Sequence, residues 1–177
     1  AAAGYTFGMT AAEVAAALAS VVPPPQRGEV LHFNNGFTVV NDSYNSNPAA
    51  LLSMVATLIE GGGSAKRKIV VAGEMLELGD DERSIHRQVG EEIAGMGVDK
   101  LIGVRGLAEE LVAGARDAGL ADAEFAEDSD AAGSLLLDQI REDDLVLVKG
   151  SRGVRTEKVI EKLLEKFEFE DKDSATE

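Results

Sequence analysis

Ile69-Val70-Val71-Ala72 is a continuous apolar run, β-branched at three positions, with no polar residue alternating through it. A strand with one wet face would alternate, so such a run predicts a central strand covered by helices front and back. The pattern recurs. Lys100 to Val104 and Leu145-Val146-Leu147-Val148-Lys149 read as further strands, and Glu124-Phe125 as a weaker one. Between and after them, apolar residues fall at helical spacing: Ile85, Val89 and Ile93; Leu107, Leu111 and Val112; Leu135, Leu136 and Ile140; then Val159, Ile160, Leu163, Leu164 and Phe167. Strands alternating with amphipathic helices predict an α/β fold, a doubly wound and mostly parallel sheet with helices on both faces.

The approach to this pattern is different. Val30-Leu31-His32-Phe33 and Phe37-Thr38-Val39-Val40 flank the turn signal Asn34-Asn35-Gly36, which predicts an N-terminal hairpin. Upstream, Thr10 and Glu13 have capping-box spacing before a short alanine-rich helix, and Pro23-Pro24-Pro25 stops it. The expected division is residues 1–26 as the end of a preceding unit and its linker, 27–167 as the main domain, and 168–177 as an acidic, disordered tail. Ala1-Ala2-Ala3-Gly4-Tyr5 carries neither an initiating methionine nor a basic targeting region, so the chain is expected to be a piece of something longer.

Charge narrows the partners. With 177 residues and a formal charge of −15, the surface repels phosphate backbones and anionic lipid, which argues against nucleic-acid and membrane partners. No apolar run is long enough to span a bilayer, and the lack of cysteine fits a reducing compartment; the expected location is the cytoplasm. A nucleotide would need a local basic exception.

Three strand-to-helix loops are rich in polar groups, and in a parallel sheet all three emerge on one edge. The first is Asn41-Asp42-Ser43-Tyr44-Asn45-Ser46-Asn47-Pro48, with Asn47 as a helix N-cap and Pro48 at the first helical position. Turn chemistry alone accounts for its Asn, Asp and Ser residues, but not for Tyr44. The second is Gly73-Glu74-Met75-Leu76-Glu77-Leu78-Gly79, followed by Asp80-Asp81-Glu82-Arg83, His86 and Gly90. Gly73 lets a ligand or another backbone approach, and the carboxylates either complement a helix dipole or bind metal. His86 follows the core-facing Ile85 and is expected to flank the buried stripe, structural or functional. The third is Lys149-Gly150-Ser151-Arg152-Gly153, whose cations and glycines at a helix start suit an anion, or else form a solvent-facing turn. The chain has no Gly-x-x-x-x-Gly-Lys-Ser/Thr, no Gly-x-Gly-x-x-Gly after a strand and no His-Glu-x-x-His. It thus lacks a recognisable phosphate-activating loop. A receiver domain is argued against as well, because Arg105-Gly106 stands where its acceptor aspartate would be.

Together the three loops, with Arg155 and Glu157 after the third, resemble the Mur ligases, and the resemblance covers the first helix through about Phe167. Sister ligases that add single amino acids tend to carry a His-Asn or similar pair in place of Tyr44-Asn45, so the resemblance favours the dipeptide-adding branch. Ser46 stands where alanine is usual, Glu74 where aspartate is common, and Gly153 and Thr156 also depart from the family pattern. The resemblance implies a C-terminal, Rossmann-like domain of a three-domain, ATP-dependent amide ligase. Such an enzyme adds D-alanyl-D-alanine to UDP-N-acetylmuramoyl-tripeptide through an acyl phosphate, in peptidoglycan precursor synthesis. Arg27, Asp42, Tyr44, Asn45 and Asn47 would then contact ATP. Gly73, Glu74, Met75, Leu78, Gly79, His86, Lys149, Ser151 and Arg152 would hold the dipeptide. The acyl-phosphate chemistry and the Mg2+ ligands would lie in the central domain, leaving this chain inactive alone. A monomer is expected. The rival readings are a folylpolyglutamate synthase-like ligase and a non-catalytic nucleotide- or peptide-binding module.

Overall fold

Each residue of the central apolar run serves one face of a sheet, as its continuity requires. In a computed structural model of the protein, which describes residues 1–19, 21 and 24–169, the run is β3 of a six-stranded sheet. Ile69 and Val71 enter one core cluster, while Val70 and Ala72 enter the other. In chain order the elements are α1 (Ala2–Thr6), α2 (Ala11–Ala19), β1 (Glu29–His32), β2 (Thr38–Asp42), α3 (Pro48–Gly61), β3 (Arg67–Gly73) and α4 (Glu82–Gly95). Then come β4 (Lys100–Val104), α5 (Ala108–Asp117), β5 (Ala123–Ala126), α6 (Ser129–Gln139), β6 (Asp144–Lys149) and α7 (Glu157–Leu164).

The strand order is β1-β2-β6-β3-β4-β5. Among the six strands of the described residues, β1 alone runs antiparallel to its neighbour, closing the expected hairpin with Val30 opposite Val40; the other strand pairs are parallel. From β2 the chain passes over the place β6 will take, builds β3, β4 and β5 outward, and returns to insert β6 between β2 and β3. Leu51, Val55 and Leu58 of α3, Val89 and Ile93 of α4, and Leu111, Val112 and Ala115 of α5 pack on one face. On the other lie Leu136 of α6 and Val159, Ile160 and Leu163 of α7. The helices after β3 and β6 therefore leave to opposite faces, which opens a crevice between the carboxyl ends of these adjacent strands.

Local signals place the helix starts. Asn47 accepts a hydrogen bond from the Ala50 amide at 2.9 Å, and Pro48 occupies the first turn. Thr10 and Glu13 form the reciprocal capping box, with Glu13 accepting from the Thr10 amide at 2.8 Å. Helices α4 and α5 meet through glycines: a Cβ on Gly90 would lie 1.9 Å from the Leu111 carbonyl oxygen, and one on Gly114 2.1 Å from that of Arg87. The stripe on α4 differs from expectation by one residue, because His86 is fully buried and Ile85 only partly so. The cause is a polar contact in the adjoining loop, described below.

Helices α1 and α2 bury no residue; Tyr5 and Leu18 stand exposed on them, as does Phe7 just after α1. At the other end, Phe169 bridges to Phe33, and the Asn34 amide donates to the Glu168 carbonyl. Pro23 of the expected linker and residues 170–177 of the expected tail lie outside the described residues.

Candidate functional site

The three polar loops leave β2, β6 and β3, which are side-by-side neighbours, so the sheet presents them together. Loop one follows β2, loop two β3 and loop three β6. Their adjacency comes from the late return of β6 into the centre.

Lys149 ends β6 directly opposite Asp42 in the β2 register and Ala72 in that of β3. Its side chain is only 4% exposed; the ammonium donates to Asp42 Oδ2 at 2.5 Å and to the Asn45 carbonyl at 2.8 Å. Asp42 Oδ1 carries no hydrogen bond among the described residues. Beside them, the Asn41 side chain accepts from Ser43 Oγ at 2.7 Å and donates to Glu29 at 2.9 Å, bracing the root of loop one on β1.

Above this base sits Tyr44, 44% exposed, with the Arg27 guanidinium 3.9 Å from its ring centroid. The Tyr44 amide donates to the Gln26 carbonyl and the Gly28 amide to the Asn41 carbonyl, so the segment entering the domain lies along loop one. A cation over a phenol makes a flat, partly wet platform. Asn45 uses its side-chain oxygen on the Ser46 amide and Asn47 uses its own in the cap; both residues are exposed, and neither NH2 group has a hydrogen-bond partner among the described residues.

Ser151 joins all three loops. Its hydroxyl accepts from the Leu76 amide at 3.0 Å and donates to the Ser46 carbonyl at 3.4 Å. Gly73 and Gly150 permit this closeness: a Cβ on Gly73 would meet Thr156 Cγ2 at 2.8 Å, and one on Gly150 would meet the same methyl at 2.6 Å. For Gly73 the approaching group is thus another part of the chain. Arg152 is exposed, donating to Glu157 at 2.9 Å and to Gln26 at 3.3 Å. Arg105 reaches the Gly153 carbonyl at 2.7 Å, and Arg155 is exposed nearby with φ 61°. The three buried side-chain atoms that lack a hydrogen-bond partner among the described residues, Ser46 Oγ, Thr156 Oγ1 and Glu157 Oε2, all belong to loop one or to the start of α7.

Loop two divides its residues between the site and its support. His86 accepts from the Met75 amide through Nε2 at 2.9 Å, while Nδ1 lies 2.7 Å from the Glu82 carbonyl. One nitrogen accepts and the other must donate, which sets the neutral Nδ1-protonated tautomer and engages both nitrogens inside the fold. Met75 is fully buried, and Leu78 packs toward the α3–α5 core. Glu74 accepts from the Leu107 amide at 2.9 Å, at the start of α5. Gly79 has φ 79° and supplies the turn into α4. The surface toward loop three is instead Leu76, against which a Cβ on Gly153 would stand 2.9 Å away.

The sequence pattern assigns no site role to Gln26 or Arg105, and names Asn41 only as the first residue of loop one. For the first two no local signal exists, since their partners lie 126 and 48 residues away. Asn41 did carry one, a carboxamide closing an apolar strand. No group of three or more His, Asp or Glu side chains among the described residues could hold a metal ion. A groove of about 490 Å³ between the hairpin and the end of α3, lined by Val30, Val40, Met54 and Leu145, is apart from the three loops. Convergence of charge, hydrogen bonding and unpaired polar atoms makes the loop edge, not that groove, the candidate site. It offers an aromatic platform, a carboxylate oxygen able to accept hydroxyls and guanidinium groups able to hold a carboxylate or phosphate.

Comparison with known proteins agrees with this geometry. The family model described as "Mur ligase, glutamate ligase domain" matches residues 26–152. The UDP-N-acetylmuramoyl-tripeptide--D-alanyl-D-alanine ligase of Bacillus subtilis is 30% identical over 93% of this chain and 36% of its own length. The Mycobacterium leprae ligase of the same name is 36% identical over 87% of this chain and 33% of its own. The crystal structure of the MurF ligase from Thermotoga maritima in complex with ADP superposes with a TM-score of 0.76 at 26% identity, over 93% of this chain and 36% of that one. The chain spans about a third of the length of these relatives. On the family match and these identities, the chain belongs to the Mur ligases, of which it carries the C-terminal, Rossmann-like domain.

Proposed function

We propose that this domain is the C-terminal part of an ATP-dependent amide ligase that adds D-alanyl-D-alanine to UDP-N-acetylmuramoyl-tripeptide in peptidoglycan precursor synthesis. The observation that carries the reading is the meeting of three polar loops on neighbouring strands, tied through Lys149 and Ser151, in a chain 30% and 36% identical to ligases of that name. In the reaction, ATP phosphorylates the terminal carboxylate of the tripeptide, and the dipeptide amine displaces phosphate from the acyl phosphate.

This domain contributes positioning and exclusion of water rather than bond making. Tyr44 with Arg27 offers the base a stacking surface; Asp42 Oδ1 accepts from ribose hydroxyls, and the carboxamides of Asn45 and Asn47 surround the base. Arg152 holds the dipeptide carboxylate with bidentate geometry. Gly73 to Gly79 form the wall behind it, held by His86 through Met75 and by Ser151 through Leu76. Mg2+ and the phosphates are held by residues outside this chain, as is the acyl-phosphate chemistry, and the domain alone does not hydrolyse ATP. Residues 1–26 close the neighbouring domain, with Tyr5, Phe7 and Leu18 facing it. The protein works in the cytoplasm as a monomer; among the described residues no helix is long and apolar enough to cross a membrane.

The test is substrate-dependent ADP release by the full-length protein. Release that requires UDP-N-acetylmuramoyl-tripeptide and D-alanyl-D-alanine supports the reading. Ligation of glutamate instead would move the protein to the folylpolyglutamate synthase-like class, and nucleotide binding with no ligation of either would mark a non-catalytic module.

A further inference from the structure

We propose that Lys149 is a positioning residue for the nucleotide, touching neither nucleotide nor dipeptide but holding Asp42 and the Asn45 carbonyl in the arrangement the nucleotide meets. This rests on the functional reading above, and it gives Lys149 a role different from that of the other cations in loop three. Arg152 and Arg155 are exposed, whereas Lys149 is enclosed and directed across the sheet.

Burying an ammonium is costly, and on the face of β6 that Lys149 shares the preceding buried residue is Leu147, so a purely packing role would be served better by an aliphatic residue. The register explains the placement. Lys149 lies between Asp42 on β2 and Ala72 on β3, and the small Ala72 fits beside the lysine stem. The contact joins residues 107 positions apart. By occupying Asp42 Oδ2 it fixes the carboxylate rotamer and leaves Oδ1 for a ligand hydroxyl. By drawing in the Asn45 carbonyl it sets the course of the turn that carries Tyr44 and Asn47. Gly150, the next residue, continues loop three. Ser151 ties that loop to Leu76 independently, so losing the Lys149 contact disturbs the nucleotide wall before the dipeptide wall.

The experiment is steady-state kinetics of the full-length protein with Lys149→Met, Lys149→Arg, Asp42→Asn and the double variant Asp42→Asn/Lys149→Met, varying ATP and D-alanyl-D-alanine in turn. Lys149→Met should raise the KM for ATP about tenfold, the cost of a lost charged hydrogen bond, without changing that for the dipeptide. Lys149→Arg should recover part of the loss. Because Lys149 acts through Asp42, the double variant should be no worse than the poorer single one. An unchanged ATP KM in Lys149→Met, multiplied effects in the double variant, or a rise confined to the dipeptide KM would each overturn the inference. If Lys149→Met does not fold, Lys149→Gln supplies the same comparison. Failure of the unmodified protein to ligate the dipeptide would overturn the functional reading itself, which the variants do not touch.

Discussion

Lys100 and Lys149 are both shut away from water, at 1% and 4% side-chain exposure, but they stand at opposite edges of the sheet. Lys100 opens β4. Its partners, Asp122 and Glu124, are 22 and 24 residues on and keep side-chain exposures of 51% and 38%. Lys149 closes β6; its partner Asp42 is 17% exposed, and its second contact is a backbone carbonyl. The first lysine pins a local β-α-β unit with carboxylates that water can also solvate. The second joins two loops that meet only in the finished fold. The unpaired buried atoms of Ser46, Thr156 and Glu157 also belong to the Lys149 edge. Unsatisfied polar groups thus concentrate where the chain is expected to meet a ligand, while the opposite edge is closed for stability.

Breaking each pair tests the contrast most strongly. Asp42→Ala leaves an enclosed ammonium with one carbonyl partner and should cost about 3 kcal/mol in urea unfolding of this domain. Glu124→Ala leaves Lys100 paired with Asp122 and should cost about 1 kcal/mol or less. Equal costs would remove the distinction between the edges. Next in size is backbone crowding. Gly150→Ala drives a Cβ against Thr156 and should destabilise by about 2 kcal/mol, whereas Gly63→Ala, before β3 with nothing within 4 Å of its Cβ, should change stability by less than about 0.5 kcal/mol.

A smaller effect has the opposite sign. Ser46→Ala removes a buried hydroxyl with no hydrogen-bond partner among the described residues and should stabilise the isolated domain by about 1 kcal/mol; a loss of stability would show that the hydroxyl is satisfied in solution. The smallest is read by pH. Lys100, and then Gln139, hold the Glu124 carboxyl below its ordinary value of 4.5 by hydrogen bonding. A carboxylate with a depressed folded-state pKa contributes stability that is fully present above 4.5 and is lost as pH falls through the folded value. Glu124→Gln should therefore flatten the fall in Tm below about pH 4.5, and an unchanged slope would show that this pair is not what acid titrates.

Much of the fold was legible because its signals are local. The unbroken apolar run of β3, the turn Asn34-Asn35-Gly36 and the cap-proline pair Asn47-Pro48 each act within a few residues of chain. The polar loops were legible as a group once a parallel sheet was expected. Roles within them were not. His86 looks like a ligand residue beside a core stripe, yet the fold buries it whole, one helical turn into α4, where its ring nitrogen accepts from the Met75 amide. Lys149 looks like a cation for an anion, yet its register sets it opposite Asp42.

What the sequence determined by itself was the set of elements, the alternation that makes the sheet parallel, and the three loops with their chemistry. Periodicity, capping and turn propensity need no distant partner. What only the tertiary structure decided was the insertion of β6 between β2 and β3, and with it which polar groups face one another. Asp42 and Lys149 are 107 residues apart, Gln26 and Arg152 126 apart. The spacing along the chain carries no trace of either contact, because the sheet's closing strand arrives last and sets both distances.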